Sequence, residues 1–128
     1  MSVVEVAVAI LVNQDEQVLI SRRGSHQHQG DKWEFPGGKV EVNESSLEAL
    51  HREIDEELGV QIKSAEFLLD VIHQYADKKV LLGFYLVKQW DGDPSGIEGQ
   101  PICWISKQDL NNYTFPDGNA EIISLLQA

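Results

Sequence analysis

Residues 38–60 read GKVEVNESSLEALHREIDEELGV, and this stretch decides both the local fold and the place of the chemistry. The residues that define the stretch stand at fixed offsets from one another, and the first and last of them are glycines. They are Gly38, Glu44, Arg52, Glu53, Glu56, Glu57 and Gly59. Four carboxylates and one guanidinium on one loop and helix are costly to bury as packing alone. The spacing therefore favours a site that holds a divalent cation against an anionic ligand.

A helix is predicted over residues 46–58. Ser45 and Glu48 have the spacing of a capping box at its start, and Gly59 is a typical C-terminal stop. At about 100° per residue, one stripe of the helix is apolar and is expected to pack against a sheet. The members of that stripe are Leu47, Leu50, Ile54 and Leu58.

The acids of this helix are expected to line a notch beside the apolar stripe. Glu53, Glu56 and Glu57 have i, i+3 and i+4 spacing, and the small Ala49 lies on the same flank. Clustered carboxylates raise one another's pKa, and Mg²⁺, with Mn²⁺ as a substitute, relieves that repulsion. Such a cation can polarise phosphorus, activate water and stabilise a leaving pyrophosphate. Arg52 is expected to orient a glutamate through a charged hydrogen bond.

The rest of the chain reads as strands separated by polar loops. Strands are expected at about 3–12, 17–22, 65–74, 79–90 and 101–105, and a second helix at about 119–127. The first two strands are expected to form a hairpin around the turn at 13–16. Phe35-Pro36-Gly37-Gly38 is expected to form a turn, in which the proline fixes φ and the glycines allow close backbone approach or positive φ. The order of elements predicts an α/β (α+β) fold, with helices packed on either side of a mixed sheet.

Composition limits the classes of protein that this chain can represent. Its 128 residues, 42% hydrophobic and 24% charged, predict one globular domain over residues 1–128. A net charge of −11 without a basic stripe argues against a nucleic-acid polymer or a membrane as partner. The opening segment, interrupted by Glu5, is expected to be a strand and not a signal peptide. The single Cys103 is compatible with a reducing cytoplasm, and the lack of a long apolar stripe suggests a monomer.

The spacing of residues 38–60 is similar to the signature of the Nudix hydrolases. Shorter matches extend the resemblance to the bacterial MutT enzymes of that family, and they are Arg22-Arg23, residues 33–39 (WEFPGGK), Trp90 with Gly92, residues 98–101 (EGQP) and Phe115-Pro116 with Asn119. The resemblance implies the Nudix fold, a mixed β-sheet sandwiched between α-helices, and a required divalent metal. It also implies hydrolysis of 8-oxo-dGTP and related purine triphosphates to the monophosphate and pyrophosphate, through attack of water on the β-phosphorus.

The same resemblance implies roles for individual residues. The metal ligands would be the carbonyl of Gly37 or Gly38 and the side chains of Glu53, Glu56, Glu57 and Glu98. The general base stays open among three acids, in order of preference Glu53, Glu98 and Glu44. The groups that would contact the nucleotide are Arg23, His28, Phe35, Lys39, Lys78 and Asn119.

The sequence qualifies the roles of three of these residues. Asn119 can read a guanine-type edge, but it also precedes a helix that it could cap. Lys78 stands where the family has an arginine, and lysine cannot make a bidentate contact, which leaves the preference for the oxidised base open. His28, with His26 nearby, is expected to belong to a substrate-gating loop and not to a metal site.

Other functions compete with the purine assignment. One is pyrophosphohydrolysis of CTP or a modified pyrimidine nucleotide, against which Asn119 and Phe115-Pro116 count. Another is a non-catalytic nucleotide-sensing module, which could lose a glutamate, although none is missing here. A calcium site of the EF-hand type is excluded, because it needs acids at alternating loop positions and these acids lie on a helix.

Overall fold

The computed structural model describes residues 3–24 and 30–128, so His26 and His28 lie outside the described residues. The elements in these ranges are β1 (Val3–Leu11), β2 (Gln17–Arg22), β3 (Trp33–Glu34), β4 (Gly37–Lys39), α1 (Ser46–Leu58), β5 (Gln61–Gln74), β6 (Lys79–Asp91), β7 (Ile102–Ser106) and α2 (Ala120–Leu126). Two 3₁₀ turns, Lys107–Asn112 and Asp117–Asn119, precede α2. No helix in the described ranges is long and apolar enough to cross a membrane.

The strands form two sheets. The larger is mixed, with the order β4-β1-β6-β5 and a parallel pairing between β1 and β6. The smaller is antiparallel, with the order β3-β2-β7. The predicted hairpin between β1 and β2 is reduced to its turn and one antiparallel bridge, because β4 and β6 flank most of β1 and because β2 pairs with β3 and β7. An isolated bridge between Val12 and Val18 marks where the chain passes from one sheet to the other.

Two apolar cores lie on opposite faces of β1, whose side chains alternate between them. The α1 core contains Ala7, Ala9, Leu11, Leu19, Ala49, Leu50, Ile54, Leu58, Val60, Ile62 and Val87. The α2 core contains Val8, Ile10, Val12, Val18, Ile20, Phe35, Phe84, Ile105, Leu110 and Ile122. The mixed sheet is thus covered on both faces, and the predicted fold class is confirmed.

Helix α1 has its predicted bounds because its ends are capped. Ser45 Oγ accepts from the Glu48 backbone N–H at 3.1 Å, and Glu48 Oε1 accepts from the Ser45 N–H at 2.8 Å. Gly59 ends the helix in the left-handed region, with φ of 72°. The predicted buried stripe is wrong at Leu47, which is 46% exposed, whereas Ala49 is fully buried. The buried sector is therefore rotated toward the acidic flank of the helix.

The glycines predicted to serve a turn lie in β4 instead. Gly37 and Gly38 pair with Val8 and Ala7 of β1, and neither has positive φ. A Cβ at Gly37 would overlap the Ala7 carbonyl oxygen. Close approach of two backbones, and not an unusual φ, is what requires glycine here.

Candidate active site

A cleft of about 1150 Å³ runs from α1 to the turn before α2. The predicted site residues in its lining are Arg23, Phe35, Gly37, Gly38, Lys39, Glu53, Glu57, Lys78, Glu98 and Asn119. We call the part beside Glu53, Glu57 and Glu98 the acidic end. The apolar end is the part formed by Val6, Val8, Phe35, Leu82 and Pro116. Glu44, Arg52 and Glu56 lie outside the lining, and His28 is outside the described residues.

Helix α1 brings Glu53 and Glu57 together at the acidic end, one turn apart. Burial raises the pKa of Glu57 to about 9, and a hydrogen bond to Glu53 contributes to the rise. The negative charges of Glu34, Glu53 and Glu98 act in the same direction. Without a cation, Glu57 therefore keeps its proton at neutral pH. A cation between these carboxylates would remove the repulsion that favours the protonated form.

Glu98 reaches the acidic end through its neighbour Gln100. The Gln100 Nε2 donates to the backbone carbonyl of Glu57 at 3.0 Å, and its Oε1 accepts from the Glu98 N–H at 3.0 Å. One side chain thus bridges α1 and a loop that follows it by about forty residues. Sequence reasoning missed Gln100, although it lies inside the 98–101 match.

Arg52 holds two of the acids in place. It binds Glu44 with two bonds, from Nε to Oε2 at 2.8 Å and from Nη2 to Oε1 at 2.9 Å. Its Nη1 donates to Glu53 Oε1 at 2.8 Å, and Nη2 also donates to the Lys39 carbonyl at 3.0 Å. The bonds to Arg52 and the bond from the Glu41 N–H lower the pKa of Glu44 to about 2. A carboxylate with so low a pKa is a poor proton acceptor near neutral pH.

Glu56 does not join the acidic end. Its side chain is 53% exposed, and its Oε2 lies 3.4 Å from Arg52 Nη1. In residues 3–24 and 30–128, no three acidic, histidine or cysteine side chains are already close enough to hold a metal ion. The donor set nevertheless fits a hard divalent cation, because every candidate side chain offers carboxylate oxygen. For Glu56 to contribute, it must turn away from Arg52.

Two further polar residues of the cleft were not predicted. Glu34 on β3 is hydrogen-bonded to Arg23, yet burial outweighs that contact and raises the pKa of Glu34. Ser21 lies opposite Glu34 on β2 and is 1% exposed. Its Oγ has no hydrogen-bond partner within the described parts of the chain. Nothing in the local spacing marks either residue, since their proximity depends on the pairing of β2 with β3.

Asn119 lies beside the apolar end and is 7% exposed. Its backbone N–H and its Nδ2 both donate to the Pro116 carbonyl, at 3.0 and 3.1 Å. The side chain makes no capping bond to α2, so the capping alternative is wrong. The buried Phe35 stacks on Phe115 with ring centroids 5.1 Å apart. The Phe-Pro segment therefore presents Asn119 beside an aromatic wall.

The two lysines of the cleft differ in setting. Lys39 is exposed, next to the glycines of β4. Lys78 is half-buried in the turn between β5 and β6, where its carbonyl accepts from the Tyr75 N–H at 2.8 Å. Each adds a positive charge to a cleft whose lining contains Arg22 and Arg23 as well as acids.

Clustered carboxylates beside an apolar pocket suit a divalent cation together with an organic ligand, and such a cation can assist hydrolysis. A family model described as the NUDIX domain matches residues 7–125. The chain belongs to the Nudix family and is a Nudix hydrolase.

Individual relatives agree with this assignment. The chain is 36% identical over 127 residues to the 8-oxo-dGTP diphosphatase of Escherichia coli (strain K12), which covers 99% of this chain and 98% of that protein. It is 29% identical over 128 residues to the CTP pyrophosphohydrolase of the same strain. That match covers 100% of this chain and 94% of the relative. A solved structure from a study of MutT of Aliivibrio salmonicida and Vibrio cholerae superposes with a TM-score of 0.85, at 33% identity over 98% of this chain and 97% of that chain.

Proposed function

We propose that this Nudix hydrolase converts purine nucleoside triphosphates, 8-oxo-dGTP above all, to the monophosphate and pyrophosphate in a reaction that requires Mg²⁺. The observation that carries the proposal is the continuity of the cleft between the acidic end and Asn119. A triphosphate tail and its base can occupy the two ends at once. The similarity to an 8-oxo-dGTP diphosphatase along nearly the whole chain supports the same choice.

The acidic end would hold the cation. Glu53, Glu57 and Glu98 would supply carboxylates, Glu56 would join them if its side chain left Arg52, and the Gly37 or Gly38 carbonyl would complete the set. When bound, Mg²⁺, or Mn²⁺ in its place, would offset part of the triphosphate charge and would lower the pKa of water. Because the acids and the substrate are both anionic, they cannot approach each other without such a cation.

Glu53 is the proposed general base. Its Oε1 accepts a 2.8 Å hydrogen bond from Arg52, which fixes the direction of the carboxylate. Glu44 is a weaker candidate because its pKa is lowered to about 2, and Glu98 is the second choice. Glu53 takes a proton from water as the water oxygen bonds to the β-phosphorus. The bond breaks between the β-phosphorus and the oxygen that bridges it to the α-phosphorus. The nucleoside monophosphate leaves with that oxygen.

The remaining predicted contacts concern the nucleotide. Asn119 would read the purine edge against Phe35, and Arg23 would contact the nucleoside from the end of β2. Lys39 and Lys78 would act on phosphate or base as point charges, since lysine lacks the bidentate geometry of arginine. His28 keeps its predicted gating role as part of this proposal.

The test is a panel of nucleoside triphosphates with Mg²⁺, run in ¹⁸O-labelled water. We expect 8-oxo-dGTP to have the highest kcat/KM and the label to appear in pyrophosphate. Label in the monophosphate would overturn attack at the β-phosphorus.

The second candidate function is hydrolysis of CTP, favoured by the similarity to a CTP pyrophosphohydrolase. The same panel decides between the two, because a higher kcat/KM for CTP than for 8-oxo-dGTP would replace the purine assignment. No turnover of any nucleotide would favour a sensing module. We infer that the protein acts as a single-domain monomer on a small nucleotide. Its net charge of −11 disfavours a nucleic-acid polymer as the partner.

A further inference from the structure

A tyrosine in the lining of the same cleft holds the segment that carries Asn119. The Gly118 backbone N–H donates to Tyr75 Oη at 2.9 Å, in a buried hydrogen bond between residues 43 positions apart. Tyr75 is 9% exposed and begins the tight turn that ends at Lys78. This bond therefore connects the wall that bears Lys78 to the wall that bears Asn119.

Tyr75 and Gly118 are fitted to each other in shape as well as in hydrogen bonding. A Cβ at residue 118 would lie 2.8 Å from Tyr75 Oη and 2.8 Å from Leu82 Cδ1. Gly118 does not have positive φ, so its backbone conformation does not require glycine. Space for the tyrosine hydroxyl and for Leu82 is what excludes a side chain at this position.

The turn before α2 needs support from outside itself. Within it, the backbone N–H and Nδ2 of Asn119 share one acceptor, the Pro116 carbonyl. Two donors to one oxygen fix Asn119 relative to Pro116, but they do not fix the turn relative to the sheet. The bond to Tyr75 adds a link one residue before Asn119, beside the stack of Phe115 on Phe35 and the bond from the Trp33 N–H to the Thr114 carbonyl.

We propose that Tyr75 is a positioning residue, which holds Gly118 and thereby sets Asn119 against Lys78 for the recognition of a purine base. The proposal rests on the proposed function for the role of Asn119, and it names how that role is enforced. It assigns Tyr75 no contact with the reacting phosphates. Its removal therefore acts on binding and on the choice of base.

The test compares Tyr75→Phe with Tyr85→Phe. Each change deletes one hydroxyl that makes a hydrogen bond. The bond of Tyr75 is buried, whereas Tyr85 Oη makes a partly buried bond to Ser46 Oγ at 3.0 Å, outside the cleft. For Tyr75→Phe we expect KM for the preferred purine triphosphate to rise about fivefold, the equivalent of about 1 kcal/mol. The preference between 8-oxo-dGTP and dGTP should narrow, and kcat should stay within about twofold of its original value. Tyr85→Phe should leave all three quantities unchanged.

A second set of variants separates positioning from direct contact with the base. Gly118→Ala should repeat the rise in KM, because its Cβ displaces the same hydroxyl. In an Asn119→Ala background, Tyr75→Phe should cause no further loss of base preference. Three results would each overturn the proposal. They are losses of base preference that multiply in the double variant, an unchanged KM in Tyr75→Phe, and an equal rise of KM in Tyr85→Phe.

Failure of the proposed function would have a different signature. If the unmodified enzyme prefers another nucleotide, the purine assignment fails, and the same comparison is then made on that nucleotide. A rise in KM confined to Tyr75→Phe and Gly118→Ala would still support positioning by Tyr75. Circular dichroism melts of all variants identify any that lose the fold, and the Tyr85→Phe enzyme gives the loss of Tm expected from a missing hydroxyl alone.

Discussion

Gly38 and Glu53 lie in contact, so that a Cβ at residue 38 would overlap the carboxyl group of Glu53. We expect Gly38→Ala to displace the carboxylate and lower kcat by about 100-fold, the usual effect of misplacing a reacting group by about 1 Å. Gly83→Ala is the matched control, because its added methyl group meets its nearest neighbours at 3.8 and 3.9 Å, an ordinary contact distance. Steady-state kinetics on both variants tests the prediction, and equal activities would contradict it.

Replacing the proposed general base should separate chemistry from binding. In Glu53→Gln the side chain keeps its size and loses its ability to accept a proton. We expect kcat to fall by about 100- to 10,000-fold. Nucleotide affinity at saturating Mg²⁺ should be largely retained, because the amide oxygen and the other proposed ligands can still hold the cation. Asp55→Asn, an exposed change on the same helix, is the control. Unchanged turnover in Glu53→Gln would remove its assignment as the base and direct attention to Glu98.

The stability of the metal-free protein should fall as pH rises. The folded pKa of Glu57 is about 9 and its ordinary value is 4.5, so between these values the folded state holds a proton that the unfolded state has lost. This contribution to stability is complete below pH 4.5 and is lost as pH rises toward 9.

Thermal melts in a chelating buffer measure this dependence directly. Glu57→Gln should have a flatter profile of Tm against pH than the unmodified protein, because its amide does not titrate. Added Mg²⁺ should raise Tm more at high pH than at low pH, since binding requires the carboxylate. A profile for Glu57→Gln as steep as that of the unmodified protein would assign the effect to other groups.

The buried hydroxyl of Ser21 should weaken the fold. It is 1% exposed and has no hydrogen-bond partner in the described ranges. An unsatisfied buried polar group costs about 1 kcal/mol or more, so Ser21→Ala should raise Tm by about 3 °C. Ser64→Ala, at an exposed position on β5, should leave Tm nearly unchanged. A lower Tm in Ser21→Ala would contradict the prediction and indicate that the hydroxyl is satisfied.

Short-range patterns predicted the helix and much of the acidic end. Helix α1 was correct in both bounds because its capping box and its C-terminal Gly59 are local signals. The spacing of Glu53 and Glu57 likewise follows from one turn of helix. Sequence could not predict that Glu56 turns to Arg52, since helical spacing fixes the flank on which Glu56 lies but not its side-chain rotamer.

Long-range pairing explains what sequence reasoning missed. The hairpin of β1 and β2 was expected from a short turn, but competition for the edges of β1 decides the pairing. Glu34 reaches Arg23 only once β2 and β3 are adjacent. The contact of Tyr75 with Gly118 spans 43 positions, and neither residue carries a local signal for the other.

The two faces of β1 place different parts of the proposed site on different apolar cores. The acids proposed to hold the cation stand on a helix that packs in the α1 core, whereas Phe35 belongs to the α2 core together with Ile122, shortly after Asn119. Substitutions that loosen one core need not disturb the other. Under the proposed function, turnover rate and choice of base are therefore properties that substitutions in different cores can change separately.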